Sequence, residues 1–214
     1  MKKIEILYKC RGYAVVNKPV GADSEDKGEG SVPALVRESI GCDYCAPLQR
    51  LDKVVSGCML VALDKMTAGK LSTLVEQNKI QKEYICVCEG VPEDERGEMH
   101  DILYYDRQKQ KSFPQKKARR GTKDASLSYE LIDTASPTPE RTVSLARVTL
   151  HTGRTHQIRV QFASRGHSLL GDGKYGSRDK NCSVALICRA VTVDEKRIEC
   201  PLPDTYPWNL FENK

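Results

Sequence analysis

The sequence contains no long apolar run, and no hydrophobic stretch approaches the roughly 18 residues that a membrane-spanning helix needs. The first residues, MKKIEILY, have a basic start but lack the apolar core of a secretory signal. With 39% hydrophobic and 29% charged residues, the 214-residue chain has enough apolar material for a globular core. We therefore expect a cytoplasmic protein without a membrane partner.

Complete metal-binding and nucleotide-binding motifs are also missing. Cys42 and Cys45 form one C-x-x-C, but a structural zinc site needs four ligands and no second pair completes it. Residues 22–30 (ADSEDKGEG) lack the glycine spacing of a phosphate-binding loop, and this acidic stretch is predicted to be an ordinary loop. The nine cysteines are odd in number and follow no export signal, which favours reduced thiols in the cytoplasm.

Short apolar stretches separated by turn residues predict mainly strands, with few helices. Asp64 stands before an amphipathic stretch as a helix cap, and two prolines within residues 134–140 predict a surface turn. We find no repeat and no linker, so we expect a single α+β domain over residues 1–214 with a mixed, mostly antiparallel β-sheet and a few flanking helices. The predicted helices cover 31–36, 65–77 and 155–164, and the predicted strands cover 4–8, 13–17, 58–63, 84–88, 127–132, 143–150, 184–193 and 197–199.

Positive charge is concentrated in two places. The chain has 34 Lys and Arg against 29 Asp and Glu, a net charge of +5, which permits a polyanionic partner without demanding one. Residues 107–123 hold eight basic residues and no acid. This basic segment is either a solvated loop or a nucleic-acid contact, and Phe113 within it favours the second, because a ring can stack on a base while phosphates pair with the cations. The second cluster consists of Arg154, His156, Arg159 and Arg165.

Three segments carry candidate chemistry: residues 48–57 (LQRLDKVVSG), 82–84 (KEY) and 150–159 (LHTGRTHQIR). In this order and spacing they resemble the RluA-type family of RNA pseudouridine synthases. That family's motifs are close to H-R-L-D-x-x-T-S-G and to T-G-R-x-H-Q-I-R followed by G-H-P-I-x-G-D. The second motif corresponds here to TGRTHQIRVQFASRGHSLLGD, residues 152–172. The pieces YAVVNKPVG, KEYICVCEG and ECPLPDTYPW also match, so the resemblance spans about residues 13–208.

The resemblance implies a catalytic domain of the pseudouridine synthase fold that isomerises uridine in RNA. The bond from ribose to the base nitrogen breaks, the uracil turns, and it rejoins through a ring carbon, with no cofactor and no metal. Asp52 matches the catalytic aspartate, which attacks or otherwise handles the ribose–uracil unit, and Arg159 matches the basic residue that pairs with it. Tyr84 matches a tyrosine that stacks on the uracil and can take part in proton transfer. Arg50 matches an arginine associated with filling the space left by the flipped base, and binding of phosphate alone is the alternative role for it.

Elementary chemistry agrees with these assignments. Reaction at a base within structured RNA requires extruding it, at a cost of a few kcal/mol, and a planar guanidinium such as that of Arg50 can stack in the vacated space. A carboxylate is a nucleophile only while ionised, and a close guanidinium opposes the neutralising effect of burial. A glycosidase would use two carboxylates, and no second acid is comparably placed in these motifs.

Recognition of RNA is expected to rest on the catalytic domain itself. Only about a dozen residues precede YAVVN, so we expect the N-terminal RNA-binding module of many relatives to be absent and the loops at 22–30 and 107–123 to select the target. We expect a monomer that acts on ribosomal or transfer RNA and recognises shape and an extruded base. His156 is expected to have a structural or RNA-contacting role rather than to shuttle a proton. The predicted RNA contacts are Gln49, Arg154, His156, Lys116, Lys117, Arg119 and Arg120.

The sequence departs from the family pattern at three positions. Gln49 replaces a histidine, Val55 replaces a threonine, and Cys188 occupies a strand position that is often histidine. These changes concern loop packing and the RNA target rather than the nucleophile. They leave open a catalytically inactive RNA-binding or RNA-folding protein of the same fold. A hydrolase that releases free uracil is a further alternative.

Overall fold

The computed structural model describes residues 3–211, which divide into two compact units. The first unit consists of the described residues up to Glu83 together with Ile187–Pro201. The second consists of Tyr84–Leu186 and the described residues from Leu202 onward. No helix in residues 3–211 is long and apolar enough to cross a bilayer.

Strands dominate the secondary structure of residues 3–211, and the predicted α+β class with a mostly antiparallel sheet is confirmed. The α-helices are α1 (Val32–Ile40), α2 (Lys65–Glu76) and α3 (Gln157–Ala163), and short 3-10 helices cover Gly173–Tyr175 and Trp208–Leu210. The strands are β1 (Glu5–Lys9), β2 (Tyr13–Lys18), β3 (Ala46–Pro47), β4 (Ser56–Ala62), β5 (Gln81–Glu89), β6 (Arg96–Asp106), β7 (Lys111–Gln115), β8 (Thr122–Thr138), β9 (Arg141–Leu150), β10 (Leu186–Val193) and β11 (Lys196–Glu199).

In the first unit β4 is the central strand, and every residue from Gly57 to Ala62 is buried. It pairs antiparallel with β2 and β3 and parallel with β10, and β1 and β11 extend the sheet beside β2 and β10. Gly57 lies opposite Cys188 in the parallel pair. A Cβ atom at Gly57 would lie 2.3 Å from the Cys188 carbonyl oxygen, and its φ of +111° also favours glycine. The contact explains why this position of the QRLDKVVSG motif carries no side chain.

In the second unit the antiparallel strands follow the order β9–β8–β6–β7, with β5 beside β9. Helix α3 packs on this sheet, where Val160 contributes to a buried cluster with Leu103 and Ala125. Phe162, one turn after Ile158, is fully buried. The second unit therefore presents the start of α3, with its motif residues, from a fixed position on the sheet.

Strand β6 is missing from the sequence prediction. Its buried residues Met99 and Leu103 share one face with Asp101, whose carboxylate accepts hydrogen bonds from Gln161 at 2.7 Å and Arg165 at 2.8 Å. A charged residue on the inner face hides the alternation that would otherwise indicate a strand.

The prediction of the basic segment as one loop is wrong. Lys111–Gln115 form β7 and pair with β6, from Ile102↔Gln115 to Asp106↔Lys111. Lys109 and Lys111 lie over the ring of Phe113, each with Nζ 5.6 Å from the ring centroid. The segment is thus an ordered hairpin strand followed by an exposed turn, since pairing with β6 satisfies backbone groups that a free loop would leave to water.

Two predicted boundaries also differ. The turn predicted at 134–140 lies mostly within β8, which tolerates Pro137 because the register shifts between Ala135 and Thr138. Helix α1 continues past its predicted end to Ile40 and stops where Gly41 adopts a left-handed conformation with φ +71°.

All nine cysteines lie within the described residues, and none of them forms a disulfide. Burial raises the pKa of the Cys45 thiol to about 12. A reactive C-x-x-C cysteine needs a lowered thiol pKa, so Cys42 and Cys45 do not have the character of a redox pair. Within residues 3–211, no group of three or more His, Cys, Asp or Glu side chains is arranged to hold a metal.

Candidate active site

Asp52 is half-buried in the loop between β3 and β4 of the first unit. Its carbonyl accepts a hydrogen bond from the Val55 backbone N–H at 2.9 Å, which closes a tight turn. Lys18, the last residue of β2, is fully buried beneath this turn. The Lys18 ammonium donates to the carbonyls of Val55 at 2.7 Å, Pro19 at 3.2 Å and Lys53 at 3.4 Å. A buried cation therefore fixes the backbone on the C-terminal side of Asp52.

Burial lowers the pKa of Lys18 to about 8, and the negative charges of Asp52 and Asp23 oppose that shift. At neutral pH Lys18 is therefore mostly protonated and contributes a positive charge that acts on Asp52. The sequence analysis missed Lys18, which stands in the matching piece YAVVNKPVG without an assigned role. A lysine at the end of a short strand is ordinarily exposed, so nothing local indicates its burial.

Replacing Lys18 with methionine should change how stability depends on pH. The folded-state pKa of Lys18 is about 8 against an ordinary 10.5, so between these values the unfolded chain binds more protons and the contribution of Lys18 to stability rises with pH. Relative to Lys18→Met, the wild type should gain about 3 kcal/mol in free energy of unfolding across this window. Urea unfolding at each pH measures this, with Lys70→Met on exposed α2 as the matched control. Parallel pH profiles for wild type and Lys18→Met would contradict the buried-lysine assignment.

The acidic loop at 22–30 holds the N-terminal side of the Asp52 turn. The Ser24 hydroxyl donates to the Leu51 carbonyl at 2.7 Å and accepts from the Leu51 N–H at 3.0 Å. Asp23 pairs with Lys53 at 3.1 Å, and Glu25 pairs with Arg50 at 3.2 Å. The prediction of a loop at 22–30 is correct. Its acidic residues Asp23 and Glu25 contact the motif that contains Asp52.

Gln49 and Arg50 point in different directions from the same loop. The Gln49 amide donates to the Cys58 carbonyl at 2.8 Å, so this side chain holds the loop to β4. The Arg50 side chain is 71% exposed. Its ion pair with Glu25 is accessible to water and salt, and such a pair contributes at most about 1 kcal/mol. Arg50 can therefore leave Glu25 for another partner at low cost.

In the second unit, Arg159 is held by a buried carboxylate. Arg159 and Asp172 are 4% and 1% exposed, and the guanidinium donates from Nε at 2.7 Å and from Nη2 at 2.8 Å. This bidentate geometry fixes the guanidinium plane. Asp172 closes the second motif, and the sequence analysis quoted it there without assigning it a role.

The start of α3 is shaped by the motif T-G-R-T-H-Q. The Gln157 amide oxygen accepts from the Thr152 hydroxyl at 2.8 Å and from the Arg154 N–H at 2.9 Å, and its nitrogen donates to the Ser126 carbonyl at 3.0 Å. His156 has a left-handed backbone with φ +56°, which turns the chain into the helix. The motif thus forms a compact hydrogen-bonded turn that sets where α3 begins.

Tyr175 joins the basic segment to α3. Its hydroxyl accepts a hydrogen bond from the Ser112 N–H of β7 at 2.8 Å and lies 2.9 Å from His156 Nδ1. Two cations lie near its ring, with Arg159 Cζ 5.2 Å and Lys111 Nζ 4.8 Å from the centroid. Burial raises the pKa of Tyr175 to about 12, so the hydroxyl stays protonated. His156 thus makes a contact within its own unit, and its role toward RNA stays a prediction.

The remaining predicted residues of the second unit differ in exposure. Tyr84 is buried on β5, with 7% exposure. Arg154 is half-buried, and its Nε donates to the Asp124 carbonyl at 2.8 Å. The four basic residues of the turn between β7 and β8 are exposed, and the Arg119 guanidinium lies 4.8 Å from the Tyr104 ring centroid. These four are Lys116, Lys117, Arg119 and Arg120.

Each unit therefore brings one group of predicted residues together. Gln49, Arg50 and Asp52 share a loop of the first unit, and the motif around Arg159 forms the start of α3 in the second. The pairing of Asp52 with Arg159 and the role of Tyr84 stay predictions.

Comparison with known proteins bears on both groups. Residues 12–164 match the family described as RNA pseudouridylate synthase. The chain is 30% identical to the dual-specificity RNA pseudouridine synthase RluA of Pasteurella multocida, over 97% of this chain and 91% of that protein. It is 28% identical to tRNA pseudouridine synthase C of Salmonella typhimurium, over 94% of this chain and 82% of that protein.

Other relatives are longer, and the chain spans 59% of the length of an RNA pseudouridine synthase, YhcT, from Bacillus subtilis. In fold, the chain is similar to human RNA pseudouridylate synthase domain containing 1, with a TM-score of 0.82, 21% identity, and coverage of 98% of this chain and 86% of that one. The family match includes the Asp52 loop, Tyr84 and Arg159. The chain belongs to the RNA pseudouridylate synthase family, the isomerases that convert uridine to pseudouridine in RNA.

Proposed function

We propose that the chain isomerises uridine in structured transfer or ribosomal RNA, with Asp52 as the nucleophile. The observation that carries this proposal is the setting of Asp52. It lies half-buried on a turn that a fully buried lysine holds from one side and Ser24 from the other. A nucleophile must be placed to within a fraction of an ångström of the atom it attacks, and this turn supplies such placement.

The proposed reaction uses only groups of this chain. Asp52 forms a bond to the ribose carbon as the ribose–nitrogen bond breaks, and the uracil leaves with that electron pair and turns. A ring carbon of the uracil then displaces Asp52 from the ribose. That carbon loses its proton and the freed nitrogen gains one, so the product is an isomer of the substrate and Asp52 is regenerated. Arg159, whose plane is fixed by Asp172, is proposed to hold Asp52 in its charged form. Tyr84 is proposed to stack on the uracil, as its match to the family motif suggests.

Arg50 is proposed to occupy the space vacated by the target base. Its exposure and its water-accessible pair with Glu25 support this role, because the side chain can exchange one anionic partner for the RNA. Gln49 and His156, which make hydrogen bonds inside their own units, are proposed to contact RNA from these fixed positions.

The exposed turn of the basic segment is proposed to contact RNA phosphates. Replacing Lys116, Lys117, Arg119 and Arg120 with alanine should weaken RNA binding and reduce the slope of log affinity against log salt by about 3, because each of the four phosphate contacts contributes roughly 0.7–0.9. Fluorescence anisotropy at several salt concentrations measures the slope. The matched control replaces Lys65 and Lys70 of α2, which are also exposed. An unchanged slope in the fourfold variant would place these cations outside the interface.

The names of the relatives support the target class, since one is a transfer RNA enzyme and another has dual specificity. We also propose that the chain acts in the cytoplasm, which its free and mostly buried thiols support, and that it acts as a monomer. Light scattering coupled to gel filtration measures the last point, and a dimer mass would overturn it.

A tritium-release assay tests the proposed function. The substrate is RNA from cells that lack the gene, labelled with tritium at the uridine ring carbon that forms the new bond. The wild-type protein should release this tritium, and chromatography should show pseudouridine in the RNA. Binding without release would support the inactive alternative, and free uracil among the products would support a hydrolase. Mapping pseudouridines in RNA with and without the gene identifies the target position.

A further inference from the structure

The second unit has a groove of about 730 Å³ whose two tyrosines have no role in the proposed function. It is bounded by the end of β6, the start of β8 and the loop at 153–155 that precedes α3. Two adjacent tyrosines, Tyr104 and Tyr105, line it together with the cations Arg107, Lys123 and Arg154. Aromatic rings beside cations are the combination with which proteins bind single-stranded nucleic acids.

Both tyrosine rings are held in place by contacts with neighbouring residues of the second unit. The Arg119 guanidinium lies 4.8 Å from the centroid of the Tyr104 ring. A Cβ atom at Gly121 would lie 3.5 Å from Tyr104 Cε2, so the turn passes close to the ring. The Tyr105 ring meets His156 edge-on at 6.2 Å, and its hydroxyl donates to Gln110 at 3.0 Å. The rings are thus prepared in advance rather than ordered by a ligand.

The charge of the groove is positive. Asp106 is the acid that lines it, and its carboxylate already accepts hydrogen bonds from the backbone N–H groups of Gln108 at 2.9 Å and Lys109 at 3.0 Å. Arg154 is oriented by its bond to the Asp124 carbonyl. An anionic ligand with a flat apolar part fits this combination, and a nucleotide has both.

We propose that this groove binds an unpaired nucleotide of the RNA substrate, one other than the uridine that is isomerised. The base stacks on Tyr104 or Tyr105, and the phosphate pairs with Arg107, Lys123 or Arg154. This inference rests on the proposed function, because that function supplies the RNA. It adds a second point at which the enzyme reads single-stranded structure.

Binding of two labelled probes by the full chain tests the proposal. One probe is a 12-nucleotide oligouridylate, and the other is an abasic strand of the same length and charge. Tyr104→Leu and Tyr105→Leu should each weaken oligouridylate binding by at least about fivefold, with no change for the abasic strand and no change in salt slope. Tyr104→Phe and Tyr105→Phe should stay within about twofold, because they keep the ring. Tyr8→Leu is the matched control, since Tyr8 lies under Lys196 at 3.8 Å in the first unit.

Wild-type affinity for oligouridylate in both leucine variants would overturn the proposal. An equal loss for the two probes would also overturn it, because the groove would then contact phosphates alone. Thermal unfolding by circular dichroism identifies a leucine variant that does not fold. In that case Arg107 and Lys123 are removed by substitution in the phenylalanine variants, which keep the ring. Loss of these two cations should reduce the salt slope. Because this test measures binding, it can fail separately from the proposed function. A protein that releases tritium but binds both probes equally contradicts the proposal for the groove and leaves the proposed function intact.

Discussion

The substitution Asp52→Asn is expected to lower the rate of pseudouridine formation by at least about 10⁴-fold. The amide has nearly the shape of the carboxylate but cannot act as an anionic nucleophile. The turn should survive, because Lys18 and Ser24 hold it by donating to the backbone carbonyls of Val55 and Leu51. Single-turnover tritium release measures the rate, and anisotropy should show RNA affinity within about threefold of the wild type.

The control for this substitution is Asp23→Asn, which removes a carboxylate from the neighbouring loop where it pairs with Lys53 at 3.1 Å. It should change the rate by no more than a few fold, since this pair is exposed to solvent. If Asp52→Asn kept more than about 1% of the wild-type rate, the nucleophile would have to be sought elsewhere.

The second large effect is expected at Asp172. Asp172→Asn removes the charge that accepts the Nε and Nη2 hydrogens of a guanidinium only 4% exposed. Losing one partner of a buried pair costs about 3–5 kcal/mol, so urea unfolding should show a free energy of unfolding lower by that amount. The rate of isomerisation should also fall, because the plane of Arg159 is no longer fixed.

A double variant separates the two effects. Arg159→Met with Asp172→Leu removes both charges and fills a similar volume, so it should recover much of the lost stability. It should remain inactive, since the guanidinium is gone. Activity in the double variant would show that Arg159 is a structural residue and not part of the catalytic machinery.

Motifs and local patterns predicted much of what positions the chemistry. The strand after the Asp52 loop and the helix behind Asp64 were both indicated by the sequence, and Asp64 caps α2 by accepting from the Thr67 N–H at 2.8 Å. The α+β class followed from the dominance of strands. These features depend on short-range patterns, which a single sequence records directly.

What the sequence did not indicate depends on distant partners. Lys18 is buried because carbonyls about 35 residues away surround its ammonium group. Strand β6 exists because β7 and β8 pair on both of its sides, although Asp101 interrupts its inner face. The pairing of Arg159 with Asp172 joins a helix to a turn that follows it. No propensity scale contains such partners, because they are properties of the folded chain.

The hydroxyl of Tyr175 connects two elements that carry predicted RNA contacts. It fastens β7 to the beginning of α3 through Ser112 and His156, so this face is already rigid before any encounter. The conformational entropy of these residues was lost when the protein folded, so ordering them does not weaken the affinity for a ligand. If this face contacts RNA as proposed, the RNA has to adapt its own conformation to the protein, and a stiff RNA pays more for that change than a pliable one.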